Sequence, residues 1–314
     1  MKKINKVLVT GGAGFIASHV VDLLLKKGYE VIIVDNLYSG YKKNINPQAK
    51  FYENDITNFN ELSKIFEKEK PDFVIHAAAQ IQVIYSLENP QFDALTNIIG
   101  GINVLECSRN FNIQKIVYLS TGGALYGEPE YLPADEEHPI KPISAYGASK
   151  RALEYYLYLY NINYNLDFVG LRFSNVYGVR DDLKSNRVIP NFIKSFLENK
   201  KPFITGDGGQ GRDFIYVGDV VEAIILALEK ETKDKFFNIG TEKIISMNEL
   251  FSSIKNILDS DLEPEYVEAR KGEVQQIYLK NKKAREQLGW KPTTDLNKGL
   301  EKTIKWFKEV FNEK

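Results

Sequence analysis

Residues 7–36 read VLVTGGAGFIASHVVDLLLKKGYEVIIVDN. A short apolar run meets a glycine cluster, an amphipathic stretch of helical length follows, and a second β-branched run ends on Asp35. Gly11, Gly14 and Ala17 fit G-x-x-G-x-x-[GA], and Gly12, Gly14 and Ala17 also fit G-x-G-x-x-[GA]. In a strand–turn–helix, such glycines permit the tight turn and let backbone amides approach a pyrophosphate at the helix N-terminus. Ala17 adds a single methyl at the last position, which the pattern tolerates. Asp35 lies 21 residues after Gly14, close to the spacing of about 20 at which an acid accepts both ribose hydroxyls of a dinucleotide. A carboxylate there repels a 2′-phosphate, so NAD is expected rather than NADP. Lys42 and Lys43 are read as solvated, and Asp55 with Ile56 is placed at the border of the adenine.

The same rhythm continues outward. Apolar, β-branched runs at 6–10, 30–35, 50–55, 72–78, 115–120, 167–172 and 235–240 alternate with helix-length segments at 15–28, 58–70, 88–111 and 145–163. Repeated βαβ units with strands apolar on both faces predict an α/β fold built on a doubly wound parallel sheet of Rossmann type. After about residue 173 the loops lengthen, and glycine and charge gather in GDGGQGRD (206–213). Short helices are expected at 219–231, 246–258 and 298–312. The expected division is an NAD-binding domain over 1–172, with a returning segment near 214–240, and a smaller mixed α/β substrate lobe over 173–314.

Composition narrows the function. The 314 residues carry a net charge of −1, so no basic field invites nucleic acid. A single cysteine, Cys107, rules out an intramolecular disulfide and suits a reducing, cytoplasmic setting. Three scattered histidines show no ligand spacing, so no metal is expected. The start MKKINKVLVT has an apolar run only a strand long, which is not a signal peptide, and no stretch reaches transmembrane length.

Residues 144–150 read SAYGASK. With Ser144 as N-cap, Tyr146 and Lys150 fall at i and i+4 on one helix face, about 6 Å apart. Alone, the pair reads more readily as a surface tyrosine stacked on a lysine stem. Beside a dinucleotide site it reads as a base. A free phenol has a pKa of about 10, and bringing it to about 7 takes roughly 4 kcal/mol. A cation at about 6 Å in an effective dielectric near 20 supplies roughly 2.8 kcal/mol, and the helix N-terminus adds about 0.5 kcal/mol. The remainder calls for a second cation, which oxidised nicotinamide provides.

Together with HAAAQ (76–80), TNIIG (96–100), STGGALYGEP (120–129), LRFSNVYG (171–178), GDGGQGRDFIYVGDVV (206–221), FNIGT (237–241), RKGE (270–273) and LGWKP (288–292), these stretches resemble the extended short-chain dehydrogenase/reductase family. Within it they are most similar to UDP-glucose 4-epimerases and related nucleotide-sugar epimerases. The resemblance implies Tyr146 as base and Lys150 as its partner on the nicotinamide ribose. It implies an NAD site lined by Gly11, Gly14, Phe15, Ile16, Asp35, Asn36, Ser39, Gly40, Asp55, Ile56, Ala77, Ala78, Ala79, Gln80, Asn97 and Phe173. Asn175 and Arg212 would hold the nucleotide diphosphate, and Arg270 with Glu273 would meet the nucleoside. Relatives place a catalytic hydroxyl near Gly122; here Thr121 is the first choice, with Ser120 second and facing the nicotinamide. Ile277 stands where relatives restricted to plain hexoses carry a tyrosine, which implies room for a 2-acetamido group. In relatives the matching helices form a four-helix dimer interface, so a homodimer is expected.

The reaction implied is C4 epimerisation of a UDP-hexose through a 4-keto intermediate. A 4,6-dehydratase or a decarboxylase would carry acids where Gly122 and Gly123 stand. A non-catalytic dinucleotide sensor would not need the Tyr146–Lys150 pair.

Overall fold

The computed structural model describes residues 5–182, 185, 187–269 and 274–312. Its first part runs β1 (Lys6–Thr10), α1 (Phe15–Lys26), β2 (Glu30–Asp35), β3 (Lys50–Glu53), α2 (Phe59–Glu69), β4 (Phe73–His76), α3 (Val83–Glu88), α4 (Pro90–Ala94), a π turn (Leu95–Ile99), α5 (Gly100–Asn110), β5 (Lys115–Thr121), α6 (Ala145–Tyr164) and β6 (Asp167–Phe173). Then come β7 (Asn175–Tyr177), α7 (Val188–Leu197), β8 (Phe203–Thr205), β9 (Gly211–Arg212), β10 (Phe214–Tyr216), α8 (Val217–Glu229), β11 (Phe236–Ile239), β12 (Ile245–Ser246), α9 (Met247–Leu258), β13 (Glu265–Val267), β14 (Gln276–Ile277) and α10 (Leu296–Asn312).

Seven strands form one parallel sheet in the order β11-β6-β5-β4-β1-β2-β3. Successive strand residues face opposite sides, and both sides are dry. Val7 and Val9 pack with Val20, Leu24, Val220 and Ile224 of α1 and α8. Leu8 packs with Leu62, Phe66, Val104 and Leu153 of α2, α5 and α6. Each such side chain contributes about 1.5–3 kcal/mol on burial. Strand order reverses between β1 and β4, and in open α/β sheets ligands bind outside the carboxyl ends of the strands at that point. Thr10–Gly11 and His76–Ala77 therefore lead into the cleft.

The chain after β6 has its own core, in which Phe192, Phe196, Phe251, Ile254, Leu300 and Phe307 meet. Within it α8 and β11 return to the first sheet, α8 packing on α1 and β11 pairing with β6. Asp219 of α8 accepts from Thr293 and Thr294, and Trp290 donates to its carbonyl, which ties the LGWKP stretch to that helix. The expected segment at 88–111 is four pieces rather than one helix: the end of α3, α4, the π turn and α5. Helix α7 and the short strands β7–β10 and β12–β14 are absent from the sequence reading. No helix among the described residues is long and apolar enough to cross a membrane.

Candidate active site

The glycine turn is built for close approach. Gly11 has φ 71°, and a Cβ there would lie 2.7 Å from the Ala78 amide nitrogen. The loops leaving β1 and β4 are thus in backbone contact. Thr10 Oγ1 accepts from the amides of Ala77 and Ala78 at 3.2 Å. Gly14 caps α1 without any side-chain hydrogen bond, and no acid stands in the helix's first turn, so the helix N-terminus favours an anion. Asp35 accepts from Ala13 N (3.0 Å) and Leu37 N (2.8 Å). Burial raises its pKa, and those two amides oppose the rise. A Cβ on Gly40 would come within 3.0 Å of Asp35 Oδ1, so the 35–40 loop folds tightly over the turn. Asn36 donates to Asp55 at 2.6 Å, and Ser39 lies exposed on the same loop. These groups fit a dinucleotide: open amides for the pyrophosphate and an acid at the end of β2 for the ribose. Lys42 pairs with Glu53 at 3.4 Å, and the Lys43 ammonium lies over the Tyr41 and Trp306 rings.

Ser144 caps α6, accepting from Gly147 N at 3.1 Å. A Cβ on Gly147 would sit 2.3 Å from the Ala124 carbonyl oxygen, so the first turn of α6 is pressed against the turn after β5. This brings the start of α6 and Tyr146 towards Thr121, whose hydroxyl works to lower the phenol's pKa. Lys150 is buried; it donates to the Leu119 carbonyl at 2.7 Å and lies 4.6 Å from the Tyr118 ring centroid.

The electrostatics depart from the sequence expectation. Tyr146 is pushed up to about 12 by burial and then by Asp93, while the Thr121 hydroxyl and Arg187 work the other way. Lys150 is not among the influences on Tyr146; its ammonium is turned to Leu119 and Tyr118. Burial pushes Lys150 down to about 8, against the pull of Asp93 and Glu154. Burial and Asp93 thus favour the neutral phenol.

Several expected cofactor residues face inward instead. Ser120 Oγ donates to Glu154 at 2.8 Å, and Glu154 is in turn gripped by Arg172 at 2.9 and 3.0 Å. Asn97 accepts from Gln80 N and donates to Gln80 O, Asp93 and Ser149. The Gln80 amide donates to Asp93. Ile56 is buried beneath α5, where a Cβ on Gly100 would meet it at 2.8 Å. Ala77, Ala78 and Ala79 stay partly open. So does Phe15, with the Arg187 guanidinium 5.1 Å from its ring centroid, while Ile16 follows it in α1. Asp93, Glu154 and Arg187 are missing from the sequence reading. Two of them carry a helical signal, since Asp93 lies four before Asn97 and Glu154 four after Lys150.

On the substrate side, Phe173 ends β6 and accepts from Gly122 N at 2.8 Å. Asn175 opens β7 with Gly123 beside its side chain. Arg212 donates to the Gly211 and Gln275 carbonyls at 2.9 and 3.3 Å and pairs with Ile277 across β9 and β14. Ile277 is 3% exposed, in a cluster with Tyr126, Ala134 and Leu279. A Cβ on Gly122 would meet the end of the Leu279 side chain at 2.5 Å, so this cluster backs onto the turn after β5, and a side chain at position 122 would displace Leu279. Arg270 and Glu273 lie outside the described residues.

A dinucleotide cleft facing a tyrosine, a lysine and a threonine defines an oxidoreductase-type site on a Rossmann sheet. The family model described as "NAD dependent epimerase/dehydratase family" matches residues 7–240, and the chain belongs to that family. A Methanocaldococcus jannaschii protein is 51% identical over 96% of this chain and 98% of its own length. UDP-glucose 4-epimerase of Thermotoga maritima, solved with UDP-glucose, superposes with a TM-score of 0.95 at 43% identity, over 98% of this chain and 99% of that one. UDP-N-acetylglucosamine 4-epimerase of Methanobrevibacter ruminantium, solved with UDP-N-acetylmuramic acid, gives 0.93 at 35% identity over 98% and 99%.

Proposed function

We propose that Tyr146 is the base of an NAD-dependent nucleotide-sugar 4-epimerase and that Thr121 and Lys150 complete its catalytic group. The observation that carries this reading is the packing of the first turn of α6, with Tyr146, against the turn after β5 that holds Thr121, where glycines at 122 and 123 stand in place of the acids that dehydration needs. Bound NAD would accept hydride from the sugar's C4 and return it to the other face. Tyr146 takes the proton of the 4-hydroxyl and later gives it back, while Thr121 holds that oxygen. Lys150 keeps a positive charge under the site and is placed for the nicotinamide ribose. Gly11, Gly14, Phe15, Ile16, Asp35, Asn36, Ser39, Gly40 and Asp55 hold the dinucleotide. Asn175 and Arg212 anchor the substrate diphosphate, so the 4-ketose turns without leaving and the nucleotide supplies binding energy for the reactive intermediate.

The substrates are UDP-glucose and UDP-galactose, with the N-acetylated pair also accepted. The enzyme works as a cytoplasmic homodimer. Incubation with UDP-glucose should yield the C4 epimer with no net gain in reduced-nicotinamide absorbance. A stable keto product would instead mean dehydration. Tyr146→Phe should retain NAD and lose on the order of 100-fold or more in turnover; near-normal rates would remove Tyr146 from the role of base.

A further inference from the structure

Asp93 has no place in the chemistry above, yet it is 1% exposed. Its Oδ1 accepts from Gln80 Nε2 at 2.9 Å and Asn97 Nδ2 at 3.1 Å. Its Oδ2 is equally buried and meets no hydrogen-bond partner among the described residues. A half-satisfied buried carboxylate costs several kcal/mol unless a charge nearby offsets it. The clamp around it leads straight to the catalytic helix. Asn97 Nδ2 also contacts Ser149 Oγ at 3.1 Å, and Ser149 Oγ donates to the Tyr146 carbonyl at 3.0 Å. Helix α4 itself packs against α6.

The groups that feel its charge are Tyr146 and Lys150 of α6 and Tyr118 of β5. Of these, Lys150 and Tyr118 also feel Glu154 of α6, and Tyr146 feels Arg187 from the segment before α7. Lys150 in turn acts on His76 of β4, and Tyr85 of α3 packs its ring against Phe92, next to Asp93. Glu154 is matched by Arg172, Arg151 and Ser120. His76 is held neutral by burial. Arg187 is paired with Asp181. That leaves the Lys150 ammonium and the Asp93 carboxylate as opposite charges whose salt-bridge partners are not to be found elsewhere among the described residues. The field of Asp93 raises the proton affinity of Lys150, Tyr146 and Tyr118 alike.

We propose that Asp93 is a positioning residue whose half-free carboxylate keeps Lys150 charged inside the closed site and sets the pH range over which the Tyr146–Lys150 pair works. This rests on Tyr146 being the base. Asp93 holds protons on both groups. Removing its charge should therefore move both limbs of the rate profile in the same direction.

The test is the pH profile of kcat for the NAD-loaded enzyme on UDP-glucose. In Asp93→Asn both the acid and the alkaline limb should move to lower pH by about one unit. Asp93→Glu, which keeps the charge, should retain the wild-type limbs. Limbs that stay in place under a uniformly lower rate, or that move to higher pH, overturn the proposal and leave Asp93 a packing residue. If Asp93→Asn does not fold, Asp93→Ser removes the same charge. The phenolate absorbance difference between the enzyme with and without Tyr146→Phe then reads the titration without turnover, and an unshifted phenolate overturns the proposal too. A Tyr146→Phe enzyme that turns over normally would instead defeat the base assignment, whatever the Asp93 variants do.

Discussion

His76 lies under the aromatic platform that carries Lys150. Its ring stacks on Tyr118 with centroids 5.7 Å apart, and Tyr118 carries the Lys150 ammonium on its own ring. Thr10 Oγ1 already accepts two amides, so its hydroxyl donates to His76 Nδ1 at 2.8 Å, which leaves the ring proton on Nε2. Burial, then the charge of Lys150, pushes His76 down to about 3. The sign of the linkage follows. Below pH about 6.5 the unfolded chain takes a proton that the folded chain refuses, so stability falls as pH falls from there towards about 3. Between pH 6.5 and 5 this one group should remove about 2 kcal/mol. Urea unfolding at the two pH values should show that loss in the wild type and its absence in His76→Asn. An equal loss in both would mean that the imidazole protonates within the fold.

At the scale of elements, the site is where three turns meet: the glycine turn after β1, the turn after β5, and the start of α6. What was legible in the sequence is what is local. The Gly11–Gly14 turn, the Asp35 terminus of β2, the Ser144 cap and the Tyr146–Lys150 face all depend on spacings of a few residues that backbone geometry dictates. What was not legible depends on which way a side chain turns. Ser120 and Thr121 are neighbours on one strand and must point apart; only the distant Glu154 and Tyr146 decide which reaches the cleft. Lys150 was expected to act on Tyr146, but the Leu119 carbonyl and the Tyr118 ring, both on β5, claim its head. Helix α7 carries Ile189, Phe192, Ile193 and Phe196 at helical spacing, although Pro190 and a charged preceding loop obscure the pattern. Strand β14 decides specificity on this account. Ile277→Tyr should depress turnover of UDP-N-acetylglucosamine by on the order of tenfold more than that of UDP-glucose, because the added ring conflicts with the larger substituent. Steady-state rates on both sugars check this, and equal losses would place Ile277 in packing alone.

At the scale of the whole molecule, the outer face of α6 and its neighbours is apolar. Tyr155, Tyr158, Leu159 and Ile162 of α6, the last 64% exposed, stand exposed, as do Leu95 and Ile99 in the π turn and Ile84 and Leu87 of α3. A contiguous face of this kind marks an interaction site, and a second copy of the chain fits the homodimer expectation. Light scattering at micromolar concentration should give about twice the chain mass of 35.9 kDa, and Tyr158→Glu with Ile162→Glu should give the single-chain mass. A monomeric wild type would contradict the assignment. The central claim is that one hydride leaves C4 and the same one returns. It is tested most directly with UDP-glucose deuterated at C4. The account predicts UDP-galactose that keeps its deuterium at C4, whereas loss of the label to solvent, or its appearance at another carbon, would contradict it.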